Sequence, residues 1–232
     1  MTPKTAIITG ASRGIGLATA LRLARRGYNI VAIARDRETL LQAAEHVRHV
    51  GGNCETLSAD VARPADAPRI VQAAHERFGR VDLLVNNAGT ALLRGVEDMT
   101  DEELALMLAT NVAGVFRLCR AVWPRMKSAG GGTIVNVSSR ASVDPFPGFA
   151  VYGACKAWVN LFTQALADEG RPLGIRVFAV APGAVDTDLL RGLFPDLAAG
   201  DVLEPDEVAA VIEALAADPM RTCSGQTVFC RK

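Results

Sequence analysis

The sequence predicts an α/β fold: one doubly wound domain over residues 1–232, with a parallel sheet of about seven strands and helices on both faces. Three observations predict it. Short runs rich in Val, Ile and Leu recur along the chain, as strands buried on both faces require. Each is followed by a stretch of helical periodicity. A glycine-rich turn joins the first run to the first helix.

In order, Thr5–Thr9 reads as a buried strand, Ile15–Arg26 as a helix and Asn29–Ala34 as the next strand. Asp36 is placed to cap a helix running to about Val50, since its carboxylate can accept from a free first-turn N–H. Cys54–Ser58 is a third strand, the region around Asp66–Phe78 a helix, and Val81–Val85 a fourth strand. Thr100 and Glu103 form a capping box that opens a long helix towards Ser128, and the triplet Gly130–Gly132 ends that segment. Thr133–Val137 is a strand, Val151–Glu169 a helix and Ile175–Val180 a strand. Asp206–Ala216 is helical, and Gln226–Phe229 is a last short strand. No linker, low-complexity tract or internal repeat interrupts this alternation.

The bulk composition suits such a fold. Half of the 232 residues are apolar and 22% are charged, enough to build a core and a solvated surface. The formal net charge is zero, and there is no basic stripe for nucleic acid. No stretch approaches the length of a membrane span. Met1–Lys4 runs straight into Ala6–Ile8, an apolar run too short for a signal-peptide core. The five cysteines, Cys54, Cys119, Cys155, Cys223 and Cys230, are scattered and lack metal-type pairing, which suggests a reducing, cytoplasmic setting.

The turn Thr9-Gly10-Ala11-Ser12-Arg13-Gly14-Ile15-Gly16 has the spacing G-x-x-x-G-x-G. Glycine permits a tight turn and lets a pyrophosphate reach the backbone, while the helix N-terminus supplies free N–H groups. After the first strand of a βαβ pattern, this points to a dinucleotide site in a Rossmann fold. The second strand ends Ala32-Ile33-Ala34-Arg35, so the position where NAD sites tend to carry an acid holds Ala34. Arg35 and Arg13 supply two guanidinium groups whose forked donors match a 2′-phosphate, which favours NADP(H) over NAD(H). The alternatives are two solvated arginines, and an Asp36 that holds a ribose hydroxyl.

Tyr152 and Lys156 are four residues apart in a predicted helix and share one face. A free phenol has a pKa near ~10, and a nearby ammonium favours its anion. Lowering it by about 3 units takes roughly 4 kcal/mol of differential interaction. A phenol so tuned can protonate an alkoxide or deprotonate an alcohol. Ser138 and Ser139 close the fifth strand, where a hydroxyl can stabilise charge on a carbonyl oxygen. Asn111 stands inside the long helix, a poor position for Asn unless it serves the site or is satisfied in the core.

Together these residues resemble the classical short-chain dehydrogenase/reductase family. The resemblance runs from Thr9 to about Thr187 and includes Asp60, the run Asn86-Asn87-Ala88-Gly89, Asn111, Ser139, Tyr152 with Lys156, and Pro182–Thr187. It implies that Tyr152 is the acid/base and that Lys156 lowers its pKa and binds the nicotinamide ribose. It implies that Ser139 orients the carbonyl, with Ser138 as the other assignment, and that Asn111 holds a water in a proton relay. Gly10, Ser12, Gly14 and Ile15 would line the phosphates, with Arg13 and Arg35 at the usual NADP positions. Asp60 and Val61 would contact adenine, Asn87 the adjoining ribose with Ala88 and Gly89 beside it, and Pro182, Gly183, Val185 and Thr187 the nicotinamide end. The chain departs from many relatives in a short segment after Thr187 and in a C-terminus without a glycine pair, which bears on tetramer contacts.

Other features read as ordinary. His46 and His49 lack a third ligand, so no metal is expected. Arg117, Arg120, Arg125 and Lys127 read as solvated, with a patch for an acidic carrier protein as the alternative. Cys155 reads as packing, or as a thiol open to alkylation. The expected substrate walls are Thr90–Leu93, Arg140–Phe149 and Leu189–Phe194, apolar through Phe146, Phe149, Leu189, Leu190 and Phe194. Arg140 or Arg191 could meet an anionic substrate group. The readings that follow are an NADPH-dependent reductase of a small or medium apolar ketone or aldehyde, a 3-oxoacyl-carrier-protein reductase, and a cofactor-binding regulator or redox sensor without turnover. The long helix and the Tyr152 helix carry spare apolar residues, and by resemblance they form a homodimer or homotetramer interface.

Overall fold

The computed structural model describes residues 2–232, the side chains of residues 199, 218 and 219 excepted; Met1, the first residue of the predicted domain, lies outside the described residues. Seven parallel strands form one sheet in the order β3-β2-β1-β4-β5-β6-β7. They are β1 (Thr5–Thr9), β2 (Asn29–Ala34), β3 (Cys54–Ser58), β4 (Leu83–Asn86), β5 (Gly132–Val137), β6 (Ile175–Pro182) and β7 (Thr227–Cys230). The chain winds outward from β1 in one direction to β3, then returns to the other side of β1 as β4. That reversal opens a crevice at the carboxyl ends of β1 and β4.

Side-chain alternation along β1 builds both layers. Ala6 and Ile8 join one core cluster with Leu23, Leu40, Val208 and Ile212, from α1 (Gly14–Arg25), α2 (Arg37–His49) and, late in the chain, α8 (Pro205–Ala216). Ile7 joins the other with Ile70, Leu118 and Val159, from α3 (Asp66–Phe78), α5 (Gly114–Ser128) and α6 (Ala150–Gly170). The remaining helices are α4 (Asp101–Leu108) and the short α7 (Asp188–Leu193). The predicted caps are present: Asp36 accepts from the Thr39 N–H at 2.8 Å, and Thr100 and Glu103 close their box at 3.2 Å in both directions.

The structure corrects three expectations. The helix from Thr100 to Ser128 is interrupted by a π-helical turn at Ala109–Ala113, which separates α4 from α5. The segment Asp101–Ser128 holds an 18-residue window of mean hydropathy 1.4, long and apolar enough by length and composition to cross a membrane, contrary to the sequence reading. The fold accounts for that apolar content, because Met107, Val115, Leu118, Val122 and Met126 are buried in it. Finally, Asp188–Leu193, read only as a loop wall, is a helix capped by Thr187, whose hydroxyl accepts from the Leu190 N–H at 3.3 Å.

Candidate active site

The carboxyl ends of the strands converge on a cavity of about 1050 Å³. Gly10, Ser12, Arg13, Gly14 and Ile15 line it after β1, Arg35 after β2, Asp60 and Val61 after β3, and Asn87, Ala88 and Gly89 after β4. Ser139 follows β5, Tyr152 and Lys156 project from α6, and Pro182, Gly183, Val185 and Thr187 come from the end of β6 and beyond. Asn111 alone among the candidates is not in the lining; its neighbour Thr110 is.

The glycine turn is shaped for close approach. Gly14 has φ 55°, a left-handed conformation that side chains resist. A Cβ on Gly16 would lie 2.1 Å from the Gly10 carbonyl oxygen, so only glycine lets α1 start this close to β1. The first turn of α1 has no acidic residue and no side-chain cap, leaving its N–H groups available to an anion. Asn87 fixes the turn from β4: its amide donates to the Thr9 and Gly10 carbonyls at 2.9 and 3.1 Å. Thr9 Oγ1 accepts from the Asn87 and Ala88 N–H groups at 3.0 Å each. The shape and polarity fit the phosphates of a dinucleotide.

At the end of β2, the exposed Arg35 guanidinium makes no ion pair among the described residues, while its carbonyl accepts from Ser58 Oγ at 2.7 Å. Asp36 is engaged as the cap of α2; hydrogen bonds from the Thr39 N–H and hydroxyl hold its carboxyl below the usual range. Arg13 is not the free cation the sequence suggested. Its Nη1 donates to Asp188 Oδ2 at 2.8 Å, across the cavity mouth.

At the inner end, the two serines separate. Ser138 is 2% exposed and donates to the Lys156 carbonyl at 3.1 Å, tying β5 to α6. Ser139 caps a tight turn by accepting from the Ala141 N–H at 3.2 Å, and its hydroxyl acts to lower the Tyr152 phenol. Lys156 is buried, donates to the Val137 carbonyl at 2.9 Å, and has its Nζ 5.7 Å from the Tyr152 ring centroid. Burial pushes the Lys156 ammonium down to about 8. The expectation that Lys156 lowers the phenol is not what this geometry gives: burial pushes Tyr152 up, opposed by the Ser139 hydrogen bond.

Asn111 is fully buried in the π turn, and its amide pairs both ways with Thr90, donating to the carbonyl at 2.8 Å and accepting from the N–H at 3.1 Å. It is thus a satisfied amide that ties the helix to the loop after β4. A Cβ on Gly89 would lie 3.1 Å from Asn111 Oδ1 and 3.6 Å from Lys156 Nζ, so this glycine keeps the space between them open.

The expected substrate wall is aromatic. Phe146 and Phe149 stack with centroids 4.5 Å apart, Phe149 meets the Tyr152 ring edge-on at 5.1 Å, and Phe194 lies 5.9 and 6.0 Å from the two. Neither arginine expected to meet an anion is free. Arg140 pairs with Asp144 at 3.0 Å, and Arg191 with Asp186 at 2.7 Å. Cys155 is buried, and that burial raises its thiol, which argues for packing rather than alkylation. The sequence reading missed Asp188, Asp144 and Thr90 as partners; Asp188 and Thr90 act through long-range pairings, and Asp144, four residues after Arg140, lies in a segment read as a loop.

The profile of the short chain dehydrogenases matches residues 4–198. The chain is 36% identical to the 3beta-hydroxysteroid dehydrogenase 1 of Eggerthella lenta, over 97% of this chain and 91% of that one. It is 37% identical to a 3-oxoacyl-[acyl-carrier-protein] reductase of Synechocystis, over 98% and 95%. The crystal structure of the 3-ketoacyl-(acyl-carrier-protein) reductase of Brucella melitensis, complexed with NADH, superposes with a TM-score of 0.91 at 33% identity, covering 99% of this chain and 97% of that one. Sequence, fold and the order of the cleft residues agree: the chain belongs to the short-chain dehydrogenase/reductase family and is an oxidoreductase of the nicotinamide-binding type.

Proposed function

We propose that the chain is an NADP(H)-dependent oxidoreductase that interconverts an apolar ketone or aldehyde and its alcohol, with Tyr152 as acid/base. The observation that carries this reading is the meeting of Ser139, Tyr152 and Lys156 at the inner end of the cavity, with Lys156 one helical turn from Tyr152. When bound, the nicotinamide supplies or accepts the hydride. In reduction, the Tyr152 hydroxyl gives its proton to the carbonyl oxygen, and the Ser139 hydroxyl donates a hydrogen bond to the same atom. Lys156, protonated below about 8, would donate to the nicotinamide ribose and so hold the cofactor beside Tyr152. Asn111 supports that end of the site by holding Thr90 in place.

The glycine turn, with Gly10, Ser12, Gly14 and Ile15, would hold the phosphates, and Asp60, Val61 and Asn87 would flank the adenosine. Pro182, Gly183, Val185 and Thr187 would enclose the nicotinamide. Arg35, without an ion-pair partner among the described residues, and the absence of an acid at Ala34 favour the 2′-phosphate. The aromatic wall and the neutralised Arg140 and Arg191 favour an uncharged, apolar substrate. Exposed Leu106, Leu108, Phe116 and Leu161 on α4, α5 and α6 support a homo-oligomer built on these helices. Five unpaired cysteines accord with a cytoplasmic setting.

The names of the carrier-protein reductases among the relatives support a second reading, a 3-oxoacyl thioester as substrate. Both are tested by following oxidation of NADPH and of NADH against simple apolar ketones and a 3-oxoacyl thioester. Turnover of ketones with NADPH preferred is expected. Preference for the thioester selects the second reading, and no turnover with any carbonyl sinks both.

A further inference from the structure

The ion pair between Arg13 and Asp188 joins residues 175 apart in sequence across the mouth of the cavity. It closes over the glycine turn on one side and the start of α7 on the other. These two segments already touch. A Cβ on Gly14 would lie 3.1 Å from Thr187 Cγ2, so the ion pair continues a packed contact. Both partners are about 70% exposed (70% and 69%), so the pair sits in water and is weak and exchangeable. Arg35, also on the cavity wall, has no such partner among the described residues.

We propose that Asp188 is a determinant of cofactor selectivity: its carboxylate on α7 competes with the 2′-phosphate of the nucleotide for the Arg13 guanidinium. This rests on the NADP(H) reading above. A phosphate monoester carries roughly −1.5 to −2 charge near neutrality, against −1 for a carboxylate, and offers more acceptor oxygens to a forked donor. The phosphate therefore takes Arg13 from Asp188, at the cost of the existing pair. A ribose with a free 2′-hydroxyl offers no such exchange, so the pair survives and its strength is subtracted only from the phosphorylated cofactor. Asp188 thus sets the margin between the two nucleotides without belonging to the phosphate site.

The test uses the whole chain and two adenosine fragments, adenosine 2′,5′-bisphosphate and AMP, titrated by calorimetry into wild type, Asp188→Asn, Arg35→Ala, Arg13→Ala and the Arg13→Ala/Asp188→Asn pair. Asp188→Asn is expected to tighten the bisphosphate about threefold, the scale of an exposed ion pair, and to leave AMP unchanged. In the Arg13→Ala background Asp188→Asn is expected to change neither ligand. Equal tightening of both fragments means general repulsion of anions and overturns the proposal. Weaker bisphosphate binding means that Asp188 orients Arg13 for the phosphate, and also overturns it. If wild type does not prefer the bisphosphate but Asp188→Asn does, the competition stands and the native NADP(H) preference falls. If neither prefers it, both fall. Loss of the preference in Arg35→Ala checks the cofactor reading independently.

Discussion

Where β1 turns into α1, the cleft wall is main chain: a left-handed glycine, a helix start pressed against a carbonyl, and amide groups of Asn87 bracing the turn. Where β5 and β6 run out, the wall is side chain: Ser139, Tyr152, Lys156 and the phenylalanines at 146, 149 and 194. In the proposed function the first wall meets a shape shared by every nucleotide phosphate. The second would serve one chemistry, and its groups are held in place by neighbours rather than by backbone geometry. A wall of backbone fails through loss of fit when atoms are added. A wall of side chains fails through loss of reactivity when atoms are removed, and some of its members weaken the fold that carries them.

Five substitutions test that contrast. The largest effect is expected from Tyr152→Phe, which removes the proton donor and keeps the ring: turnover falls about 10³-fold, roughly 4 kcal/mol, while NADPH binding by fluorescence is retained. Unchanged turnover would break the assignment. Next, Ser139→Ala lowers kcat about 10²-fold, as for loss of one donor to a developing oxyanion. Its neighbour Ser138→Ala leaves kcat within a few-fold and costs about 1 kcal/mol in denaturant unfolding, because its hydroxyl braces β5 against α6. The reverse pattern would exchange the two roles.

On the backbone wall, Gly16→Ala is expected to cost about 2 kcal/mol of stability, since its Cβ meets a carbonyl that cannot yield without moving β1. A melt identical to wild type would show that the wall gives way easily. The smallest effect depends on pH. Lys156 is pushed from 10.5 to about 8, so between those values the unfolded chain holds a proton that the folded chain lacks. Stability therefore rises with pH across that window, and the cost of the buried ammonium is complete below about 8. Lys156→Met is expected to be more stable than wild type near neutrality, with the difference shrinking as pH rises from 8 to 10.5. A difference that does not vary with pH would contradict the assignment of that proton to Lys156.

The same contrast governs what was legible in the sequence. The strand-helix alternation and the glycine turn were legible because they impose local patterns: a run of Val and Ile, a capping Asp36, a spacing of glycines. The candidates after β1 to β4 all reach the cavity for that reason. The residues alone did not separate Ser138 from Ser139, since the choice depends on which one the Lys156 carbonyl takes, and only the resemblance favoured Ser139. Arg13 looked free because Asp188, 175 residues away, is brought to it by tertiary geometry; Arg140 and Arg191 looked free because Asp144 and Asp186, four and five residues from them, lie in segments read as loops. The rise in the Tyr152 pKa was hidden for a similar reason: a sequence shows the ammonium four residues away but not the burial that opposes it.

The π turn at Ala109–Ala113 has a consequence for how this chain can change its length. A regular helix turns about 100° per residue, and the wider π turn fits one more residue into a single turn, so the inner face of α5 stays aligned with that of α4. Met107 before the turn, Asn111 within it, and Val115, Leu118 and Val122 after it therefore all face inward. The extra residue is thus a registration mark: substitutions around it remain open, but one further inserted residue that the helix cannot absorb in the same way would turn α5 by about 100° against α4 and part the Thr90 brace from the α5 core face.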